Sequence, residues 1–190
     1  MSNSIALVGA GGFIGSHWIR ALLARTDYRI LAVDLDFHRI DDLRKAKIDR
    51  VDFLENDIAD SEVIQKVAQC DIVVNLAAIC TPSRYMGESL AVIESNFTHP
   101  AALAKACAES GAWLIYFSTS EVYGKTSAQA KPLDEDASDF VQGAVGASRW
   151  SYAVAKQLSE RYIAALPNLR WSVVRPFNFV GPWMDFMPGV

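Results

Sequence analysis

Long apolar runs are missing from this sequence: no stretch of about 18 consecutive apolar residues occurs, so nothing in it reads as a membrane-spanning helix. Basic charge is scarce too. With 18 Lys and Arg against 22 Asp and Glu, the net charge is -4, and no concentrated basic face exists to neutralise a nucleic-acid backbone. Only three cysteines are present, Cys70, Cys80 and Cys107. Their odd number excludes a complete disulfide framework, their spacing suits no metal, and free thiols fit a reducing, cytoplasmic setting. No basic segment with a cleavage site precedes the first apolar run, so no secretion signal is expected. His17 and His99 have no partner cluster and read as a helix-face and a cap-region residue.

What is there is a globular composition, 51% hydrophobic and 21% charged, enough for one sizeable core. Val- and Ile-rich runs recur at Ile5 to Val8, Ile30 to Val33, Val51 to Leu54, Ile72 to Leu76, Trp113 to Phe117 and Trp171 to Val174. Continuous apolar strands imply burial on both faces. Stretches of helical period lie between them near 13-25, 38-46, 60-69, 85-109 and 148-166. Alternating strands and helices wind right-handedly into a parallel sheet, so residues 1-190 read as one doubly wound α/β domain of the Rossmann class. The stretch from Gly124 to Ala147 breaks the rhythm and reads as a long surface loop, and residues 180-190 read as irregular. Trp18, Trp113 and Trp171 read as packing residues.

Gly9-Ala10-Gly11-Gly12-Phe13-Ile14-Gly15 follows the first strand and opens the first helix. Gly9 allows a tight turn, Gly12 lets a pyrophosphate approach the backbone, and Gly15 lets the helix pack close to the strand. The helix start offers unpaired N–H groups to phosphate. Asp34, ending the second strand 19 residues past Gly15, can accept from ribose hydroxyls and repels a 2′-phosphate, which favours NAD over NADP. Asp36 is a substitute for that role, with His38 and Arg39 nearby. Asp57-Ile58, after the third strand, either meets an adenine amino group or caps the next helix.

Tyr152 and Lys156 are four apart on a helical stretch and share a face. A lysine ammonium beside a phenol lowers its pKa from about 10 towards neutrality, as a general base requires. Thr119 ends the fifth strand, where ligands of open α/β sheets bind, and can hold the same substrate oxygen. Glu121 stands two residues further on, at the rim of that site, as an acid/base group.

In GAGGFIG, Asp34, Asp57-Ile58, Asn75-Leu76-Ala77-Ala78, STSEVYG, YAVAK and RPFNFVGP, the chain resembles the extended short-chain dehydrogenases from Ser4 through Pro182. Within them it is most similar to the UDP-glucuronic acid decarboxylase domain of the lipid A aminoarabinose pathway. The resemblance implies NAD as cofactor, with Phe13, Ile14, Leu76, Ala77, Ala78, Tyr152 and Lys156 among its contacts. It implies that Cys80 (through its backbone), Tyr85, Thr119, Ser120, Arg149 and Asn178 touch the sugar nucleotide. It further implies no metal, a homodimer through a four-helix interface, and a substrate lobe after residue 182 that the 190 residues do not include. The expected reaction oxidises the sugar C4 hydroxyl transiently. A sugar-nucleotide 4,6-dehydratase, a 4-epimerase and a catalytically silent NAD-binding module are the other readings.

Overall fold

The structure, a computed structural model, describes residues 3–124, 133–135 and 142–184. Six strands, β1 (Ser4–Val8), β2 (Arg29–Asp34), β3 (Val51–Glu55), β4 (Ile72–Asn75), β5 (Trp113–Phe117) and β6 (Arg170–Val174), form one sheet in the order β3-β2-β1-β4-β5-β6. Every neighbouring pair is parallel. The order reverses between β1 and β4, which opens the crevice at their carboxyl ends where such folds bind ligands.

Strand periodicity divides the core. Ile5 and Leu7 of β1 point to a cluster with Ile19, Ile30, Ala32, Phe37 and Ile40, whereas Ala6 and Val8 point to one with Val63, Val67, Leu103, Cys107 and Ile163. Helix α1 (Phe13–Arg25) therefore covers one face, with a 3-10 turn at His38–Ile40 and the short α2 (Asp41–Lys45) beyond it. Helix α3 (Ser61–Ala68) covers the other, capped by Asp60, whose carboxylate accepts from the Glu62 N–H. Burial of each large aliphatic side chain contributes about 1.5–3 kcal/mol. The edge strand β6 departs from two-sided burial, and Trp171 is 42% exposed.

The single helix expected over 85-109 is instead divided. Helix α4 (Pro82–Gly87) ends where Glu88 leaves helical geometry, and α5 (Ser89–Ile93) runs through a π turn at Glu94–Thr98 into α6 (His99–Ser110). Pro100 accounts for the π turn. A proline inside a helix has no N–H to donate and its ring crowds the carbonyl four residues back, here that of Asn96. The freed carbonyl accepts from Tyr116 Oη at 3.2 Å and from Ser159 Oγ at 2.6 Å. Helix α7 (Ser151–Ala165), entered through a 3-10 turn at Ser148–Trp150, completes this face. Most of the expected loop from Gly124 to Ala147 lies outside the described residues.

Candidate active site

Steric necessity fixes the glycine turn. Gly9 has φ +88°, and a Cβ there would lie 2.8 Å from the Ala77 nitrogen, so the strand end Leu76-Ala77 abuts the turn. On Gly15 a Cβ would lie 2.0 Å from the Gly9 carbonyl oxygen, which accounts for the close helix packing. Gly12 differs, since a Cβ would meet only that oxygen at 3.4 Å, in the open cradle above the start of α1. The α1 N-terminus carries no side-chain cap and no acidic residue in its first turn. Its first N–H groups, from Phe13 onward, have no intrahelical acceptor, so the cradle fits an anionic pyrophosphate.

Asp34 has a part that the sequence did not suggest. Its Oδ2 accepts from the Gly11 N–H at 2.8 Å and its Oδ1 from the Leu35 N–H at 2.7 Å, so it locks the turn before any ligand arrives. Burial holds its carboxyl above the usual range despite those bonds. Each oxygen keeps a second lone pair for a ribose hydroxyl. Gly11 is also sterically required, because a Cβ would overlap the Asp36 carbonyl oxygen at 1.8 Å. Asp36 is engaged with the His38 ring. Arg39 donates to the Gly11 carbonyl at 3.4 Å. The Asp57 carboxylate accepts from the Ala59 N–H at 2.9 Å in a local turn, and the cap on α3 is Asp60, not Asp57. Ile58 packs against the core.

At the other side of the crevice, Tyr152 and Lys156 stand on the buried face of α7, beside the end of β5. Tyr85 of α4 stacks on Tyr152, with ring centroids 5.0 Å apart and planes 11° apart, and its hydroxyl donates to the Cys80 carbonyl at 2.8 Å. Thr119 Oγ1 accepts from the Glu121 N–H at 3.2 Å. Glu121 in turn pairs with Arg149 at 2.7 Å, and that guanidinium lies 5.7 Å from the Tyr85 ring centre. Thr119, Glu121, Tyr152, Tyr85, Arg149 and the Cys80 carbonyl thus form one connected group. Ser120 is tied in by its N–H, which donates to the Pro176 carbonyl at 3.0 Å. Asn178 is exposed two residues beyond that tie.

The electrostatics correct one expectation. Tyr152 is held above the ordinary phenol range, not below it; burial is the largest cause, and the nearby Thr119 side chain opposes it. Lys156 is fully buried, donates to the Phe117 carbonyl at 2.7 Å and lies 4.7 Å from the Tyr116 ring centre. Its ammonium is engaged there, and burial pushes its pKa down to about 8.

The sequence model of the NAD dependent epimerase/dehydratase family matches residues 5–190, which span both the phosphate cradle and the strand end that bears Thr119. The chain belongs to this family. Among its relatives, UDP-D-apiose/UDP-D-xylose synthase 1 of Arabidopsis thaliana is 40% identical over 208 aligned positions, covering 98% of this chain and 54% of the plant protein. The rice (Oryza sativa subsp. japonica) UDP-D-apiose/UDP-D-xylose synthase is 41% identical, covering 98% and 52%. The crystal structure of the PbgP3 protein from Burkholderia pseudomallei superposes with a TM-score of 0.88 at 34% identity, covering 97% of this chain and 55% of that one. The chain therefore spans about half the length of the curated relatives it matches.

Membership accounts for the cradle, since the family is NAD dependent. Among the described residues no cluster of metal-ligating side chains occurs, and no helix is long and apolar enough to cross a membrane. Sequence reasoning missed the constraint on Gly11, the Asn96 turn and the packing of residues 179–183 on α1. That segment returns across the sheet to α1: His17 Nε2 lies 2.9 Å from the Pro182 oxygen, Trp183 packs on His17, and Phe179 stacks on Phe13. The aromatic residues around Gly181 and Pro182 were the available signal.

Proposed function

We propose that this chain is the NAD-binding domain, residues 1-190, of a nucleotide-sugar enzyme that oxidises the sugar C4 hydroxyl transiently, with UDP-glucuronate decarboxylation as its reaction. When bound, NAD supplies the two-electron acceptor and donor. Tyr152, as the phenolate that the positive charges of the bound nicotinamide ring and of Lys156 would favour, takes the proton from the C4 hydroxyl, Thr119 aligns that oxygen, and Lys156 anchors the helix that presents Tyr152. A C4 ketone is β to the uronate carboxylate, so the C5–C6 bond breaks, carbon dioxide leaves, and the electron pair passes into an enolate that takes a proton at C5. Glu121 is the group placed to manage that proton. Arg149, Tyr85, Ser120, Asn178 and the Cys80 backbone bind the sugar nucleotide, and a lobe after residue 182 completes its site.

The observation that carries this reading is the junction of Thr119, Glu121, Arg149, Tyr85 and Tyr152 at one strand end. The plant relatives, named for two pentose products, support it. The test is to extend the chain to its relatives' length and supply UDP-glucuronate and NAD. Carbon dioxide and a UDP-pentose are expected. A 4-keto-6-deoxy sugar from a hexose nucleotide would make it a dehydratase, an epimerised sugar a 4-epimerase, and NAD binding without turnover a silent module.

We further infer a cytoplasmic homodimer. Met86 of α4, Leu90 and Ile93 of α5, and Val154 and Leu158 of α7 are exposed apolar residues on the helices expected to form a four-helix interface. Free cysteines accord with a reducing compartment.

A further inference from the structure

Beyond the groups just assigned, one partly buried ion pair joins the two halves of the candidate site. Arg175, directly after β6, donates Nε to both carboxylate oxygens of Glu160 at 3.1 and 3.2 Å and Nη2 to one of them at 2.7 Å. Its Nη1 donates to Tyr123 Oη at 3.1 Å. Tyr152, Lys156 and Glu160 recur every four residues on α7, and all three are buried. Tyr123 ends the 3-10 turn Ser120–Tyr123 that carries Glu121. The backbone on either side of Arg175 is tied to the end of β5, through Ser118 N–H to the Val174 carbonyl at 2.8 Å and Ser120 N–H to the Pro176 carbonyl at 3.0 Å.

We propose that Arg175 and Glu160 are a positioning pair: Arg175 clamps the strand end bearing Thr119 and Glu121 to the catalytic face of α7, and Glu160 keeps the buried Lys156 charged. A fork–fork guanidinium–carboxylate contact fixes orientation as well as distance, which a lysine at 175 would not do. Neither residue touches the crevice groups directly. Ion pairs at partial burial add little net stability over an apolar filling, so a role in placement accords with what the contact physically provides.

The electrostatic half follows from what surrounds Lys156. The titratable and charged groups about it are Tyr152 and Glu160 of its own helix, Tyr116 of β5 and Cys80 of the loop before α4; the Phe117 carbonyl is its direct acceptor. Burial disfavours the ammonium, and Cys80 and then Glu160, four residues on along α7, oppose that effect. Removing the Glu160 charge lowers the pH at which Lys156 loses its proton. Removing Arg175 raises it, because Glu160 is then less neutralised.

The effect on turnover rests on the proposed oxidation chemistry; the effect on Lys156 does not, and the two are measured separately. The Lys156 titration is followed by carbon NMR in protein labelled at the lysine side chains, assigned with Lys156→Met. Glu160→Gln is expected to move the midpoint down by roughly half a unit or more. Arg175→Met is expected to move it up, and Arg175→Lys to restore it without restoring placement. The double variant Glu160→Gln with Arg175→Met, which buries no lone charge, guards against misfolding of the single Arg175→Met variant. In the extended enzyme, Glu160→Gln shifts the alkaline limb of the kcat profile in the same direction with KM within about twofold, and Arg175→Lys lowers kcat about tenfold at unchanged KM. A Lys156 midpoint that stays within about a tenth of a unit in folded Glu160→Gln and in the double variant overturns the electrostatic half. Wild-type kcat in Arg175→Lys overturns the clamp. Absence of any turnover, with the midpoint shifted, overturns the reaction assignment and leaves the pair standing.

Discussion

Tyr85 lies face to face on Tyr152, with planes 11° apart, and spends its own hydroxyl on the Cys80 carbonyl. The stack makes Tyr85 a wall that sets the position of the Tyr152 ring, and it couples α4 to α7 across the mouth of the crevice. Both phenols are held above their usual range chiefly by burial. Tyr152 is therefore neutral in the free protein.

This stack separates placement from chemistry. Tyr152→Phe keeps the ring and removes only the hydroxyl, so sugar oxidation in the extended enzyme is expected to vanish while NAD affinity stays within about twofold. Tyr85→Ala removes a side chain that is 1% exposed, and a loss of about 3–5 kcal/mol in urea denaturation is expected. Residual turnover near the wild-type level in Tyr152→Phe would remove the phenol from the mechanism.

The glycines offer a contrast that sequence spacing alone could not supply. Gly15→Ala forces a Cβ to 2.0 Å from the Gly9 oxygen and Gly11→Ala to 1.8 Å from the Asp36 oxygen, so both are expected to lower the melting temperature. Gly12→Ala meets nothing closer than 3.4 Å and is expected to leave stability within about 0.5 kcal/mol. Its Cβ enters the cradle, and NAD affinity by calorimetric titration is expected to fall about tenfold or more. Equal affinity in wild type and Gly12→Ala would place the pyrophosphate elsewhere.

Arg149 and Glu121 are half-exposed, at 48% and 29% of their side-chain surfaces. Arg149→Ala is therefore expected to change stability by about 1 kcal/mol at most. Its effect belongs to binding: if Arg149 meets the anionic sugar nucleotide, the variant binds UDP-glucuronate at least about tenfold more weakly, read by titration in the extended enzyme. Unaltered binding would reduce the guanidinium to a partner of Glu121.

How far the sequence alone carried depended on the range of the interactions. Strand positions, the α/β alternation and the steric roles of Gly9 and Gly15 rest on local periodicity and local sterics, and they were legible. The division of the expected 85-109 helix was signalled by Pro100 but not readable, because the carbonyl freed at Asn96 is satisfied only by Tyr116 and Ser159, which lie far along the chain. Gly11 was overlooked for a similar reason: its constraint is the backbone of Asp36, a residue brought close by the turn. The direction of the Tyr152 shift was misread because spacing of four says nothing about depth. Burial sets the direction of the shift, and the lysine itself is engaged with β5.

The depth of Lys156 has a consequence for stability against pH. In the folded protein its pKa is lowered to about 8 from 10.5, so between those values the unfolded chain binds the extra proton. Stability contributed by this group therefore rises with pH from about 8 towards 10.5, by at most about 1.4 kcal/mol per unit, and is flat below 8 where both states are charged. Tyrosines act in the opposite sense. Tyr85, Tyr116 and Tyr152 keep their protons in the fold while the unfolded chain loses them above about 10, so stability falls there. Urea denaturation across pH 7 to 11 is expected to show a rise followed by a fall. Lys156→Met, which buries a methyl in place of the ammonium, is expected to abolish the rise and keep the fall. A rise that persists in Lys156→Met would assign it to another group and contradict the burial of the Lys156 ammonium against the end of β5.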